Sequence, residues 1–385
     1  MQSHPTPNWR SRPAIGCLRR LYLPVLMMLM AAAGAVSLHA QFTWTGASNR
    51  NASNPLNWQQ GLPTANSDIA FGPAALPAGV NLDAPFTINS ISFSGPTAFG
   101  INGTSPLTIN SGLSDSSTAT SGILIAVPVI LGGNVTATNS SATSNLLVQG
   151  NVSGSGSLTI NSTGGQLVQI AGVGSYTGGT TISQGTFGVG NGSVVGAMIS
   201  GNVANSGTLN FYPASGDSVT YGGIISGTGS VMLSGSGTLT FSGQNSYSGD
   251  TSISGTLADA GGGAYSSTST MGLGLGATLK VNFDETIGGL INYVNSGTVS
   301  LAAGKTLTIN NPITRSPFSG TITGAGALVK TGNGSIQFSA ASDYTGGTTI
   351  SAGVLFATNS TGSALGTGGI TIGPGAVLQL GAAGG

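Results

Sequence analysis

From about residue 85 onward the chain repeats a short phrase in which apolar, polar and apolar positions alternate and a closing Asn, Ser or Gly follows. Leu-Thr-Ile-Asn occurs at 107–110, 158–161 and 307–310, with variants at Leu209-Asn-Phe211, Leu239-Thr-Phe241 and Ile370-Thr-Ile372. Alternation with period two puts Leu and Ile on one face of a strand and Thr on the other, and β-branched residues suit a pleated surface. Gly, Asn and Ser at the ends supply the positive-φ corners at which strands bend. No stretch beyond residue 40 keeps a 3.6-residue apolar period, so the pattern predicts an all-β chain almost without helix.

A longer phrase recurs three times: Tyr176-Thr-Gly-Gly-Thr180-Thr-Ile182-Ser-Gln-Gly185, Tyr247-Ser-Gly-Asp-Thr251-Ser-Ile253-Ser-Gly255 and Tyr344-Thr-Gly-Gly-Thr348-Thr-Ile350-Ser-Ala-Gly353. Before each comes a Gly-x-Gly turn and a strand, at Gly154-Ser-Gly156, Gly227-Thr-Gly229 and Gly324-Ala-Gly326. Thr and Ile two apart share a face, so Thr180/Ile182, Thr251/Ile253 and Thr348/Ile350 are expected to point inward together. This ordered constellation resembles the autotransporter-associated β-strand repeat of passenger regions in large secreted bacterial proteins, over about 154–190, 227–257 and 324–356. Trp44-Thr-Gly46, Asn57-Trp58, Pro63 and Asp68-Ile-Ala-Phe71 are similar to the segment that precedes such repeats. The resemblance implies a right-handed parallel β-helix, with residues 41–84 as an N-terminal cap segment and 85–385 as repeats.

Strand chemistry leads to the same solenoid. Parallel strands need crossovers, normally helices, and none are legible here; winding the chain pairs each strand with its counterpart one coil later. Strands buried on both faces would be continuously apolar, whereas these alternate, with one face inside and one in water. At about 20 residues per coil the expectation is roughly 15 coils. A propeller or sandwich would need hairpin signals, which are sparse.

Composition alters the picture mainly at the start of the chain. Among 385 residues, 66 are Gly and only 5% are charged, yet 39% are hydrophobic and the mean hydropathy is +0.27. That apolar content argues against disorder. Arg10, Arg12, Arg19 and Arg20 precede an apolar stretch from Leu21 to Val36, and Ser37-Leu-His-Ala40 follows, the layout of a signal peptide (1–40) cut before Gln41. The protein is therefore expected to be secreted or displayed on the cell surface. Beyond residue 40 the basic residues are Arg50, Lys280, Lys305, Arg315 and Lys330 against nine acids, a net charge of −4. Nucleic acid is not an expected partner.

His4, His39 and Cys17 all leave with the leader, so triads built on imidazole, thiolate or imidazole metal sites and disulfides have no residues to form from. No catalytic residue, cofactor site or metal site is expected, and the chain is read as not an enzyme. Cleaving a glycoside needs two converging carboxylates, but Asp68, Asp83, Asp115, Asp217, Asp250, Asp259, Asp284, Glu285 and Asp343 are spread almost evenly. Asp284-Glu285, the one adjacent pair, is expected on a loop in water, and the other acids in water or at turns. Tyr176, Tyr247 and Tyr344 are expected to cover corners with wet hydroxyls, and Trp44 and Trp58 to cap the first coil. Gly-x-Gly without a following helix is no phosphate loop.

The chain stops mid-pattern at Leu378-Gln-Leu380-Gly-Ala-Ala-Gly-Gly385. Neither a translocator barrel nor a sorting anchor is legible, so either one is supplied from outside this chain or the last coil is capped by self-association. The leading expectation is a bacterial β-helical passenger-type protein with a structural, adhesive or secretion-assisting role, meeting cell-surface polysaccharide or a host or neighbour surface. A polysaccharide-binding or polysaccharide-cleaving β-helix is the alternative.

Overall fold

The computed structural model describes residues 39–73, 79–293, 296–312 and 316–381. The chain divides into two units between Ala40 and Gln41, and the expected leader lies, but for its last two residues, outside the described residues. From Gln41 onward the chain winds as a β-solenoid of about 14 turns. Its strands form sheets of 11, 11, 6, 5 and 4 members, and the one helical element among the described residues is a 3-10 turn, Pro55–Asn57. Pairing between strands is parallel, coil on coil: Thr180 lies opposite Val203 and Val231 opposite Thr251, 23 and 20 residues further on.

The period-two pattern becomes two kinds of column. Ile101, Ile125, Val148, Ile170, Val189, Phe211, Leu233, Ile253 and Leu273 are successive register partners, all buried. Burying each such side chain stabilises the stack by about 1.5–3 kcal/mol. Thr238, Thr256, Thr278, Thr298 and Thr321 form a matching outward column on the six-stranded sheet. Corners are tight enough to demand glycine. Gly154, Gly227 and Gly324 have φ of 114°, 101° and 102°, and a Cβ on any of them would collide with a carbonyl of the preceding coil, that of Leu131, Asn205 or Leu301. The Gly-x-Gly phrases are therefore places where one coil lies against the next.

Two breaks in the ladders are bridged by side chains. The first 11-stranded sheet ends at Ile225–Ser226 and the five-stranded sheet begins at Glu285. Between them Asn245 Oδ1 accepts from Ile225 N (2.7 Å) and its Nδ2 donates to Ala264 O (2.6 Å). Ala264 N and Tyr265 N then donate to Glu285 Oε1 and Oε2, at 3.0 and 3.2 Å. A carboxamide and a carboxylate thus supplement the backbone bonds from Ser246 N to Ile225 O and from Asn245 N to Gly263 O, so the five-stranded sheet continues the same face. Asn292 does likewise between the second 11-stranded sheet and the four-stranded one, its Oδ1 accepting from Ser319 N and Gly320 N at 2.9 Å each.

This continuity explains the unequal spacing of the long phrase. Thr180 and Ile182 lie on the first sheet, Thr251 and Ile253 on its neighbour, and Thr348 and Ile350 on the continuation of the first. Successive copies enter the prism at different faces, so their separation is not a whole number of coils. At the N-terminal end, Gln41–Thr43 and Asp68–Phe71 already belong to the first sheet, so the expected cap segment is continuous with the stack. Trp44 and Trp58 close it edge to face (5.0 Å, 74°), and Trp58 stacks on Phe86.

Candidate functional site

The repeated tyrosines are where the structure departs most from expectation. Tyr176, Tyr247 and Tyr344 are fully buried, not corner covers with wet hydroxyls. Each hydroxyl meets the Oγ1 of the threonine four residues on, Thr180, Thr251 or Thr348, at 2.6, 2.7 and 2.5 Å. The reason is the inward Thr: a hydroxyl placed in an apolar column requires a partner, and the tyrosine entering at the same corner supplies it. Burial pushes all three phenols up to about 12. The expected inward pairs Thr180/Ile182, Thr251/Ile253 and Thr348/Ile350 are indeed buried.

The acids are likewise more structural than the expectation of solvated carboxylates allowed. Glu285 is the first residue of a strand and buried, so it does not share a wet loop with Asp284. Burial and, secondarily, the charge of Asp259 push its carboxyl up to about 7, against the pull of the Tyr265 and Ala264 N–H groups. Asp259 and Asp115 are buried too. Asp259 accepts from Asn282 N and Phe283 N at 2.7 and 2.8 Å, fastening a corner. Acids outside the core are bonded as well: the exposed Asp284 accepts from Thr306 N and Asp83 from Ser53, and the half-buried Asp217 accepts from Gly196 N and Ser218 N and Asp68 from Asn89 and Ser90. Asp250 and Asp343 are exposed at the tyrosine turns, as expected.

Sequence reasoning passed over Lys330. It occupies an inward position between Ile309 and Ile350, fully buried, and its ammonium donates to the carbonyls of Thr331, Gly332 (2.8 Å) and Ala352 (3.4 Å). Desolvation lowers its pKa to about 8. The alternation Leu328-Val-Lys330 carried this signal, since an inward Leu328 forces Lys330 inward.

No group of three or more His, Cys, Asp or Glu positioned to hold a metal ion occurs among the described residues. Outside, the walls are hydroxyl-rich and almost uncharged. At the C-terminal end Ile370, Ile372, Val377 and Leu380 are about half exposed or more.

Against this geometry, the passenger-associated-transport-repeat family model matches residues 233–258 and 328–355. The chain carries passenger-associated transport repeats. Each matched segment contains a Tyr–Thr pair, Tyr247/Thr251 or Tyr344/Thr348, and the inward Ile that follows. The copy beginning at Tyr176 lies outside the matched segments yet has the same buried hydrogen bond. Repeat and solenoid together fit an autotransporter passenger-type protein, a family that implies export to the cell surface or secretion. No curated protein and no solved structure matches the chain.

Proposed function

We propose that this protein is a non-enzymatic, surface-displayed or secreted bacterial solenoid whose walls adhere to polysaccharide or to a neighbouring cell surface. The observation that carries the reading is how the acids are used. Seven of them accept hydrogen bonds at corners or ladder breaks, three from inside the core. A carboxylate held this way positions backbone and does not converge with another on a bond to be cleaved. The outward threonine column from Thr238 to Thr321 repeats a hydroxyl and a methyl every ~4.8 Å along the stack, a flat, weakly charged face suited to hydroxylated polymers.

The test is a binding and turnover panel of bacterial and plant polysaccharides. Retention without new reducing ends is the expected result, and replacing Thr256, Thr278 and Thr298 together by Glu should reduce retention while leaving the circular dichroism unchanged. Reproducible cleavage abolished by Asp284→Ala would favour the polysaccharide-cleaving alternative.

A further inference from the structure

Four buried polar residues, Asp115, Asn139, Asn205 and Asn311, stand at or just after the end of a strand, and one of them cannot do what the others do. Asn139 accepts from the N–H two residues on (Ser141, 3.0 Å), while its Nδ2 donates to Ser144 O (2.8 Å) and to Leu167 O of the next coil (3.1 Å). Asn205 accepts from Gly207 N (3.1 Å) and donates to Ser230 O of the next coil (2.9 Å), and Asn311 donates to Ser335 O (2.7 Å). Asp115 is the register partner of Asn139, and its Oδ1 accepts from Ser117 N at 2.8 Å in the same way.

The other oxygen of Asp115 stands where the asparagines have an NH2. By register, the next-coil carbonyl corresponding to that of Leu167 is Asn145 O, an acceptor, from which a carboxylate oxygen takes no hydrogen bond. Accordingly Asp115 Oδ2 is buried without a hydrogen-bond partner, and so is Ser117 Oγ. The surroundings are small: Ser117, Ala119, Ser141 and Ser144 are all buried here. A carboxylate shut away from water with one N–H donor needs compensating positive charge. The nearest basic residues along the chain are Arg50, 65 residues before Asp115, and Lys280, 165 residues after it.

We infer that this corner binds a sodium ion, held by Asp115 Oδ2 and Ser117 Oγ with help from neighbouring carbonyl oxygens. Carboxylate, hydroxyl and carbonyl are hard oxygen ligands. A single positive charge neutralises the single buried carboxylate, whereas a dication would leave a net charge inside the core.

The experiment follows amide exchange at residues 116–120 in the full chain, in sodium chloride and in N-methylglucamine chloride at equal ionic strength. Exchange there should slow with sodium, about tenfold for each tenfold rise once the concentration exceeds the dissociation constant. In Asp115→Asn, which restores the donor found at Asn139, the sodium response should vanish with the fold intact. Ser117→Ala keeps the charge and removes one ligand, so it should need more sodium for the same protection. Equal exchange in the two salts, or a sodium response that survives in Asp115→Asn, would overturn the site.

Discussion

Replacing Tyr176 by Phe removes one hydroxyl from the core and should hurt more than the same change at Tyr247 or Tyr344. All three hydroxyls meet a buried threonine, but the threonines differ in what remains to them. Thr251 Oγ1 also lies 2.8 Å from Ser269 Oγ, and Thr348 Oγ1 donates to Leu365 O at 3.3 Å. The described contacts of Thr180 offer no such second partner, and it is 4% exposed. Tyr176→Phe therefore strands a buried hydroxyl and should cost about 1–3 kcal/mol, whereas Tyr247→Phe and Tyr344→Phe lose only the net bond, about 0.5–1.5 kcal/mol. Adding Thr180→Val to Tyr176→Phe removes the stranded group and should recover most of the loss, a coupling that a double-mutant cycle measures. Damage in a solenoid stays close to its source, so amide exchange over residues 176–184 is the suitable readout beside a urea melt. Equal costs at the three positions, or additive effects in the Tyr176/Thr180 pair, would refute the claim that these hydroxyls meet in the core.

Three other outcomes are expected. Ile350→Ala should cost about 2–5 kcal/mol by leaving a cavity, and Thr349→Ala under about 1 kcal/mol; local exchange near 345–355 checks the order, which a one-residue slip would reverse. Glu285 has a folded pKa raised to about 7 from the ordinary 4.5, so its contribution is fully present below pH 4.5 and is lost as pH rises through 7; urea midpoints across that window should fall, and in Glu285→Gln they should be flat. Lys330 has a folded pKa lowered to about 8 from 10.5, so the unfolded chain binds more protons between those values and stability should rise with pH there; Lys330→Met should remove this slope and stabilise the protein at pH 7.

Much of the architecture was legible because period-two alternation and Gly-x-Gly corners are local signals with a direct geometric meaning. Leu158-Thr-Ile160 points its Leu and Ile inward whichever coil it pairs with, and Gly227 is needed wherever coils touch at a corner. The polar interior was hidden for the opposite reason. Whether Glu285 is wet depends on the coil 20 residues earlier, where Ala264 and Tyr265 lack a strand to pair with. Tyr247 reads as a corner aromatic until Thr251 is recognised as an inward hydroxyl that needs a partner, and Asp115 becomes notable only beside its register partner Asn139. Face-by-face displacement of the long phrase is equally non-local, since 71 and 97 residues become intelligible once Asn245 and Glu285 are seen to continue the first ladder.

The most direct test of the coil-on-coil stack is a set of distances along one register column. Leu124, Leu147, Gln169, Gly188, Asn210, Met232, Ser252, Gly272 and Ile291 are successive register partners on one sheet, and the chain beyond residue 40 has no cysteine. Spin labels on cysteines placed at Leu124 and Met232, and separately at Leu124 and Ile291, in a Cys17→Ser background, report distances by pulsed electron resonance. Parallel strands stack at ~4.8 Å, so five steps give about 24 Å and eight steps about 38 Å between the labelled backbones, growing linearly with the number of coils. A second distance equal to or shorter than the first would mean that the chain folds back on itself, and the solenoid account would be wrong.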